Sequence, residues 1–321
     1  MRVFRHFKGL AADSLGAAVA VGNFDGVHCG HKAVIKEAGR IAREAGKPWG
    51  VLTFEPHPGS VFVPDQTPFR LTPFRTKAHH IEELGVDVLV VLHFDKEFSR
   101  LSAPDFVHDI IVDGLQAGHV VSGYDFVFGH QRKGNCAMLL RMGQENGYGF
   151  TCVQAVGDET GKAYSSTRAR DCLKLADVAG AAGILGRDFE IEGRVEKGEG
   201  RGGATGFHTA NLHLGEYQQP RLGVYAVRAG IGEGEDTVWR DGVANLGRRP
   251  TFDGSGVVLE THIFDFSGDL YGRYLRVRFA DFIRPEKKFD GIDALKAQIA
   301  EDCAKARQIL SENPAHNVHR L

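Results

Sequence analysis

Val21-Gly22-Asn23-Phe24-Asp25-Gly26-Val27-His28-Cys29-Gly30-His31 follows a short apolar run and opens a segment with helical spacing. A helix that starts at such a junction presents unpaired backbone N–H groups and the positive end of its dipole, and both suit phosphate. Gly22, Gly26 and Gly30 let backbone pass close to a nucleotide. His28 and His31 are three residues apart, so both imidazoles reach one side of the turn. Such a pair can donate to phosphate oxygens as charge builds in nucleotidyl transfer. The i, i+4 spacing of helical zinc ligands is missing, which weakens a metal reading. Two surface histidines beside a turn are the plain alternative for the pair alone.

Outward from this stretch, the first half alternates β-rich runs at 17–22, 50–54, 86–94, 119–123 and 150–155 with helical spacing at 31–44, 74–84, 103–115 and 137–146. Alternation of this kind predicts a parallel sheet covered on both faces, with ligands at the carboxyl ends of the strands. After a helical stretch at 167–185 the chain turns strand-rich, at 189–195, 223–229, 237–245, 257–264 and 275–279, with a last helical segment at 290–310. The expected fold is therefore α/β plus β: an N-terminal Rossmann-like parallel sheet, then a small antiparallel β-barrel or sandwich with a terminal helix. The boundary is expected near 183–187, giving domains 1–183 and 184–321.

At 321 residues, with 42% hydrophobic and 25% charged residues, the chain has an ordinary globular composition. A formal net charge of -2 offers no field for nucleic acid or a membrane surface. Cys29, Cys136, Cys152, Cys172 and Cys303 are odd in number and scattered, without a CxxC pair. That pattern fits a reducing compartment better than a disulfide framework. The opening residues contain Asp13 and too short an apolar run for a signal peptide. A cytoplasmic protein is expected; its oligomeric state is open.

A second glycine-rich stretch runs from Gly198 to Asn211. Gly198, Gly200 and Gly203 satisfy GxGxxG, but no helical pattern follows, so the dinucleotide-binding context is missing. Residues 157–162 imitate a Walker loop with one residue too few, and Ala163 stands where Ser or Thr is needed. Thr209 and Asn211, two apart in an extended segment, would project to one face and offer oxygens to a hard cation such as Mg2+.

The first motif is similar to the nucleotide-binding signature of the HxGH nucleotidyltransferase superfamily, and specifically of bacterial bifunctional riboflavin kinase/FAD synthetases. Further segments agree in order: Thr53-Phe54-Glu55-Pro56-His57-Pro58, Gly123-Tyr124-Asp125-Phe126-Val127-Phe128-Gly129, Arg132-Lys133-Gly134-Asn135 and Ser165-Ser166-Thr167-Arg168-Ala169-Arg170. The last resembles an ISSTxxR motif with Tyr164 in place of its aliphatic lead residue. The resemblance implies ATP at Gly22, Asn23, Phe24, Asp25, Gly30, Ser165, Ser166, Thr167, Arg168 and Arg170. It places FMN at His57, Pro58, Asp125 and Arg132, and makes His28 and His31 catalytic.

In the second half the resemblance is to the riboflavin kinase signature, a glycine loop before GFPTAN. It implies ATP at Gly198, Gly202, Gly206, Phe207, Thr209 and Asn211, with Mg2+ on Thr209 and Asn211. His208 stands for the family's proline, Gly203 for an arginine and Thr205 for a leucine. Residues 242–252 resemble GVANxGxxPTF, and Glu260 matches the catalytic base. Arg284 and Glu286 are implied at the flavin. The expected activity is conversion of riboflavin to FMN and of FMN to FAD with ATP. An alternative is mainly FMN adenylylation beside a weak or regulatory flavin-binding barrel. From another class, the barrel is a flavin-storage module on an unrelated nucleotidyltransferase.

Overall fold

Side chains alternate across β2 (Ala18–Val21): Val19 and Val21 enter one apolar layer, Ala18 and Ala20 the other. A strand buried on both faces needs helices above and below it. The computed structural model, which describes residues 1–63, 68–196, 207–232, 234–251 and 254–312, supplies them. Its Cα packing divides the chain into two units, Met1–Thr67 with Thr72–Ser165, and Pro68–Leu71 with Ser166–Leu321.

The first unit begins with β1 (Arg2–Phe4) and β2, followed by α1 (Cys29–Ala45), β3 (Trp49–Glu55), α2 (Pro58–Phe62) and α3 (Phe74–Glu82). Then come β4 (Val88–His93), α4 (Ala103–Asp105), which continues as a π-helical stretch Phe106–Gly114, β5 (His119–Gly123), α5 (Cys136–Asn146) and β6 (Gly149–Val153). The six strands are parallel in the order β1-β4-β3-β2-β5-β6. Val34, Ile35 and Ala38 of α1 and Ile81 of α3 fill one face. Phe106, Ile110 and Ile111, with Leu139 and Met142 of α5, fill the other. Because β2 pairs with both β3 and β5, the loops after these three strands share one edge. Chain direction reverses its progress across the sheet between β2 and β5, which is where such sheets take ligands.

The second unit holds α6 (Ser166–Lys174), α7 (Val178–Leu185), β7 (Phe189–Arg194), β8 (Ala210–His213), β9 (Gly223–Ile231) and β10 (Val238–Thr251). β11 (Gly254–Ile263), β12 (Tyr274–Arg284) and α8 (Ile292–Glu312) complete it. Its sheet is antiparallel in the order β7-β12-β9-β10-β11-β8. Beyond β7, Glu196 bridges to Asn211 of β8, with a 3.0 Å N–H···O bond, and curls the sheet toward a barrel. Tyr225, Leu246, Leu259, Leu212 and Phe279 fill its interior.

Three elements, β1, α2 and β8, lie outside the strand and helix ranges expected from the sequence. The expected helical stretch 167–185 is two helices, because Ala176 takes φ 62° and Asp177 then caps α7 through Gly180 N–H at 2.8 Å. Gly198, Gly202, Gly206, Gly203 and Thr205 lie outside the described residues.

Helix α8 lies on the outer face of the sheet, where Ala306 and Leu310 meet Val224, Ala226, Val243 and Phe264. Asp302, one turn before Ala306, receives both arms of the Arg284 guanidinium at 2.9 and 2.7 Å. Both partners are largely buried, so losing one leaves a charge without compensation. Asp302→Ala should therefore destabilise this unit by about 3 kcal/mol. The chain has two tryptophans, Trp49 and Trp239, one per unit, so urea unfolding followed by Trp239 fluorescence in a Trp49→Phe background reads the effect. An unchanged midpoint would show that the pair does not hold the helix.

Candidate active sites

His28 is the N-cap of α1, and its Nδ1 accepts the N–H of His31 at 3.2 Å. An accepting Nδ1 leaves the ring proton on Nε2, which makes that atom a donor. The two imidazoles stack, with centroids 3.5 Å apart and planes 20° apart, and Phe24 meets His31 edge-on at 5.4 Å. Gly30 is the residue that permits this stack. A Cβ there would come within 3.1 Å of His28 Cε1 and 3.2 Å of its Nδ1. The preceding loop takes φ values of 49, 90 and 41° at Phe24, Gly26 and Val27. Left-handed backbone at Phe24 and Val27 is costly, and both side chains are buried in the α1-side core, which holds them there.

Three residues to which the sequence reading gave no role fasten this loop. Lys77 of α3 is fully buried, and its Nζ lies 2.7 Å from Glu55 Oε1 and 3.0 Å from the carbonyl oxygen of Asn23. Thr53 Oγ1 donates to the same carbonyl at 3.2 Å. Thr72 accepts the Gly26 N–H at 2.8 Å through its hydroxyl and donates its own N–H to Asp25 Oδ1 at 3.1 Å. Asp25, expected at the nucleotide, is 2% exposed and turned into the protein. Phe24 is likewise buried against His31, so both residues shape the loop from inside.

Beside it on the β3 edge, His57 caps α2 by accepting Gly59 N–H at 3.0 Å, and Pro58 is the first helical residue. On the β5 edge, Asp125 is exposed just beyond the strand. Arg132 is exposed in a short 3-10 turn, His130–Arg132. Ser165 ends the first unit, and Ser166 opens α6 in the second, followed by Thr167 and Arg168. Arg170 Nε donates to the Phe69 carbonyl at 2.8 Å.

In the second unit, strand register sets the geometry. Glu260 of β11 stands opposite Asn211 of β8 on one side and Asn245 of β10 on the other. Directly paired residues point to the same face, so Asn211, Glu260 and Asn245 form a polar row. The row lies on the outer face, where the apolar cover of α8 stops. Glu286 reaches the same place from beyond β12: a Cβ on Gly247 would lie 2.6 Å from Glu286 Oε1 and 3.1 Å from Asn245 Nδ2. Asn245 is a further residue that the sequence reading quoted without a role. Arg284, expected at the flavin, has its guanidinium on Asp302 of α8.

Thr209 lies immediately before β8, which begins at Ala210, so only Asn211 of the expected pair is in a strand. Asn211 Nδ2 approaches the Thr209 carbonyl at 3.5 Å, which leaves Oδ1 as the oxygen donor of that amide. His208 replaces a proline, yet its carbonyl is held. His262 Nδ1 donates to it at 2.9 Å, and Phe207 packs edge-on against the His262 ring at 5.2 Å. His262 sits two residues along β11 from Glu260, on the same face. A strand residue thus restrains the Phe207–Thr209 approach from outside.

Residues 10–168 match the FAD synthetase family and residues 185–310 the riboflavin kinase family. The chain is 40% identical over 309 residues to a bifunctional riboflavin kinase/FMN adenylyltransferase of Escherichia coli (strain K12), covering 96% of this chain and 97% of that one. It is 38% identical over 300 residues to a protein of the same description from Bacillus subtilis (strain 168), covering 92% and 93%. A solved structure described as a macrolide-efflux protein from Streptococcus pneumoniae superposes with TM-score 0.79 at 30% identity, covering 97% and 98%. Among the described residues, no helix of this chain is long and apolar enough to cross a membrane. Two family matches in succession, and relatives that align along nearly the whole chain, place this protein in the family of bifunctional riboflavin kinase/FMN adenylyltransferases.

Proposed function

We propose that the two reactions run at the two sites described, each with its own ATP. The chain phosphorylates riboflavin to FMN and adenylylates FMN to FAD with release of pyrophosphate. Residues 184–321 carry the first step and residues 1–183 the second. Helix α6 belongs to the second step by its Ser166–Arg170 motif, although packing groups it with the barrel. The observation that carries the kinase assignment is the register that sets Glu260 between Asn211 and Asn245.

In phosphorylation, the Glu260 carboxylate takes the proton from the riboflavin 5′-hydroxyl as its oxygen attacks the γ-phosphorus; the bond to the β-phosphate breaks and ADP leaves. The residues fit a hard cation, since Asn211 offers Oδ1 and Thr209 a hydroxyl. Mg2+ held by these two residues would neutralise charge on the ATP phosphates. Gly198, Gly202 and Gly206 belong to the loop assigned to those phosphates. Glu286, beside Asn245, is assigned to the flavin, and Arg284 acts through the position of α8.

In adenylylation, an FMN phosphate oxygen attacks the α-phosphorus of ATP and pyrophosphate leaves, with no covalent enzyme intermediate. His28 Nε2–H and His31 donate to the phosphate oxygens at the start of α1. Asn23 and Gly22 line the nucleotide, while Ser165, Ser166, Thr167, Arg168 and Arg170 serve its β- and γ-phosphates. His57, Pro58, Asp125 and Arg132 are assigned to FMN. We place the enzyme in the cytoplasm, where scattered free thiols persist. The grip of His262 on His208 favours an active kinase over a weak or regulatory barrel.

Glu260→Gln should lower FMN formation by roughly 10²–10⁴-fold, as loss of a general base does, and leave FMN-to-FAD conversion intact. His28→Ala should do the reverse. Assays started from riboflavin and from FMN separate the steps, and equal loss of both in either variant would refute the division. His262→Ala should lower kinase kcat/KM by roughly tenfold through lost positioning. Adding His208→Pro, which fixes φ at that residue, should recover much of the loss. No recovery would show that His262 acts otherwise.

A further inference from the structure

Cys136 and Cys152 are not used by either reaction, and their sulfurs lie 3.3 Å apart. Cys136 is the first residue of α5, directly after its Asn135 cap, and Cys152 stands on β6. Both are partly exposed. The remaining separation to a disulfide bond is about 1.3 Å, within the reach of side-chain adjustment. Cys136 also lies 3.3 Å from the Gly123 carbonyl oxygen and 3.8 Å from that of Tyr124. These residues begin the turn that carries Asp125.

We propose that Cys136 and Cys152 form a reversible dithiol site for hydroperoxides, closing to a disulfide that slows FMN adenylylation. The slowing rests on the assignment of Asp125 to FMN; the site itself does not.

The two sulfurs have unlike surroundings. Cys136 opens an 11-residue helix, and its S–H faces the Gly123 carbonyl oxygen. The Cys152 thiol is pushed up to about 11, by burial first and by Cys136 beside it. It therefore keeps its proton and donates it toward the Cys136 sulfur. In the first step the Cys136 sulfur attacks an oxygen of the hydroperoxide and the O–O bond breaks. The departing alkoxide takes the thiol proton and leaves as alcohol, and Cys136 becomes a sulfenic acid. The Cys152 sulfur then attacks the Cys136 sulfur, and the S–O bond breaks. Hydroxide leaves with the Cys152 proton as water. Two thiols and one hydroperoxide thus give one disulfide, one alcohol and one water, a two-electron exchange. Closure removes the S–H that faces the Gly123 carbonyl and ties the start of α5 to β6 beside the turn.

The test treats the full chain with hydrogen peroxide, alkylates remaining thiols, and maps peptides by mass spectrometry beside assays of both reactions. The expected result is a Cys136–Cys152 linked peptide with FAD formation from FMN slowed roughly tenfold, as misplacement of a substrate contact does. Riboflavin phosphorylation should hold, and dithiothreitol should restore the rate. Cys152→Ser should keep its adenylylation rate after peroxide and leave Cys136 as a sulfenic acid that dimedone traps. If Cys136 is oxidised beyond the sulfenic acid in the parent chain with no linked peptide, the site is refuted. Equal peroxide inhibition of Cys152→Ser would overturn the switch by pointing to another thiol. A linked peptide with an unchanged rate would also overturn it. Asp125→Ala then separates the causes: if it slows FAD formation the FMN assignment stands, and if it does not, that assignment falls too.

Discussion

Backbone pairing decides where both sets of polar groups stand. In the first unit, parallel pairing of β2 with β3 and β5 brings the loops after three strands to one sheet edge. In the second, antiparallel pairing fixes Glu260 against Asn211 and Asn245. Side chains alternate along a strand, so a slip of one residue would turn Glu260 into the barrel interior and expose Leu259. Leu246, Leu259 and Leu212 lie in register inside the barrel and penalise such a slip. Hydrophobic burial in one row thus positions chemistry in the next.

Each site stands where an apolar layer ends. On the sheet, Phe24 and Val27 drop into the core and leave His28, Gly30 and His31 at its rim. On the barrel, α8 covers Val224, Ala226, Val243 and Phe264, and the polar row begins beyond it. Ion pairs then hold the framework. Lys77 joins Glu55 to the Asn23 carbonyl, and Arg284 joins the end of β12 to Asp302. Lys77 thereby holds a backbone carbonyl, and Arg284 holds the carboxylate of α8.

The architecture was legible because the apolar period changes along the chain, from strand–helix alternation to repeated strands with turns. The HxGH segment was legible because glycine, histidine and a helix start have physical meaning within a few residues. What stayed hidden depends on distant residues meeting. Lys77 reads as one more charge on an amphipathic helix, since nothing near it in sequence reveals Glu55 or the Asn23 carbonyl. The bond from Thr72 N–H to Asp25 joins two loops that are far apart in sequence. His208 reads as a defect, and only strand β11 brings His262 to its carbonyl. The break at Ala176 was unreadable for a different reason, since alanine favours helices and yet takes φ 62° here.

Two independent sites in one chain make a demand that neither site alone makes. If the assignments hold, a Glu260→Gln protein keeps FMN adenylylation and a His28→Ala protein keeps FMN formation, so each supplies what the other lacks. The most direct measurement is FAD formation from riboflavin and Mg-ATP by the two variants mixed in equal amounts. The account predicts that the mixture makes FAD steadily while each variant alone makes almost none. A mixture as inactive as its components, with FMN accumulating unused, would contradict it.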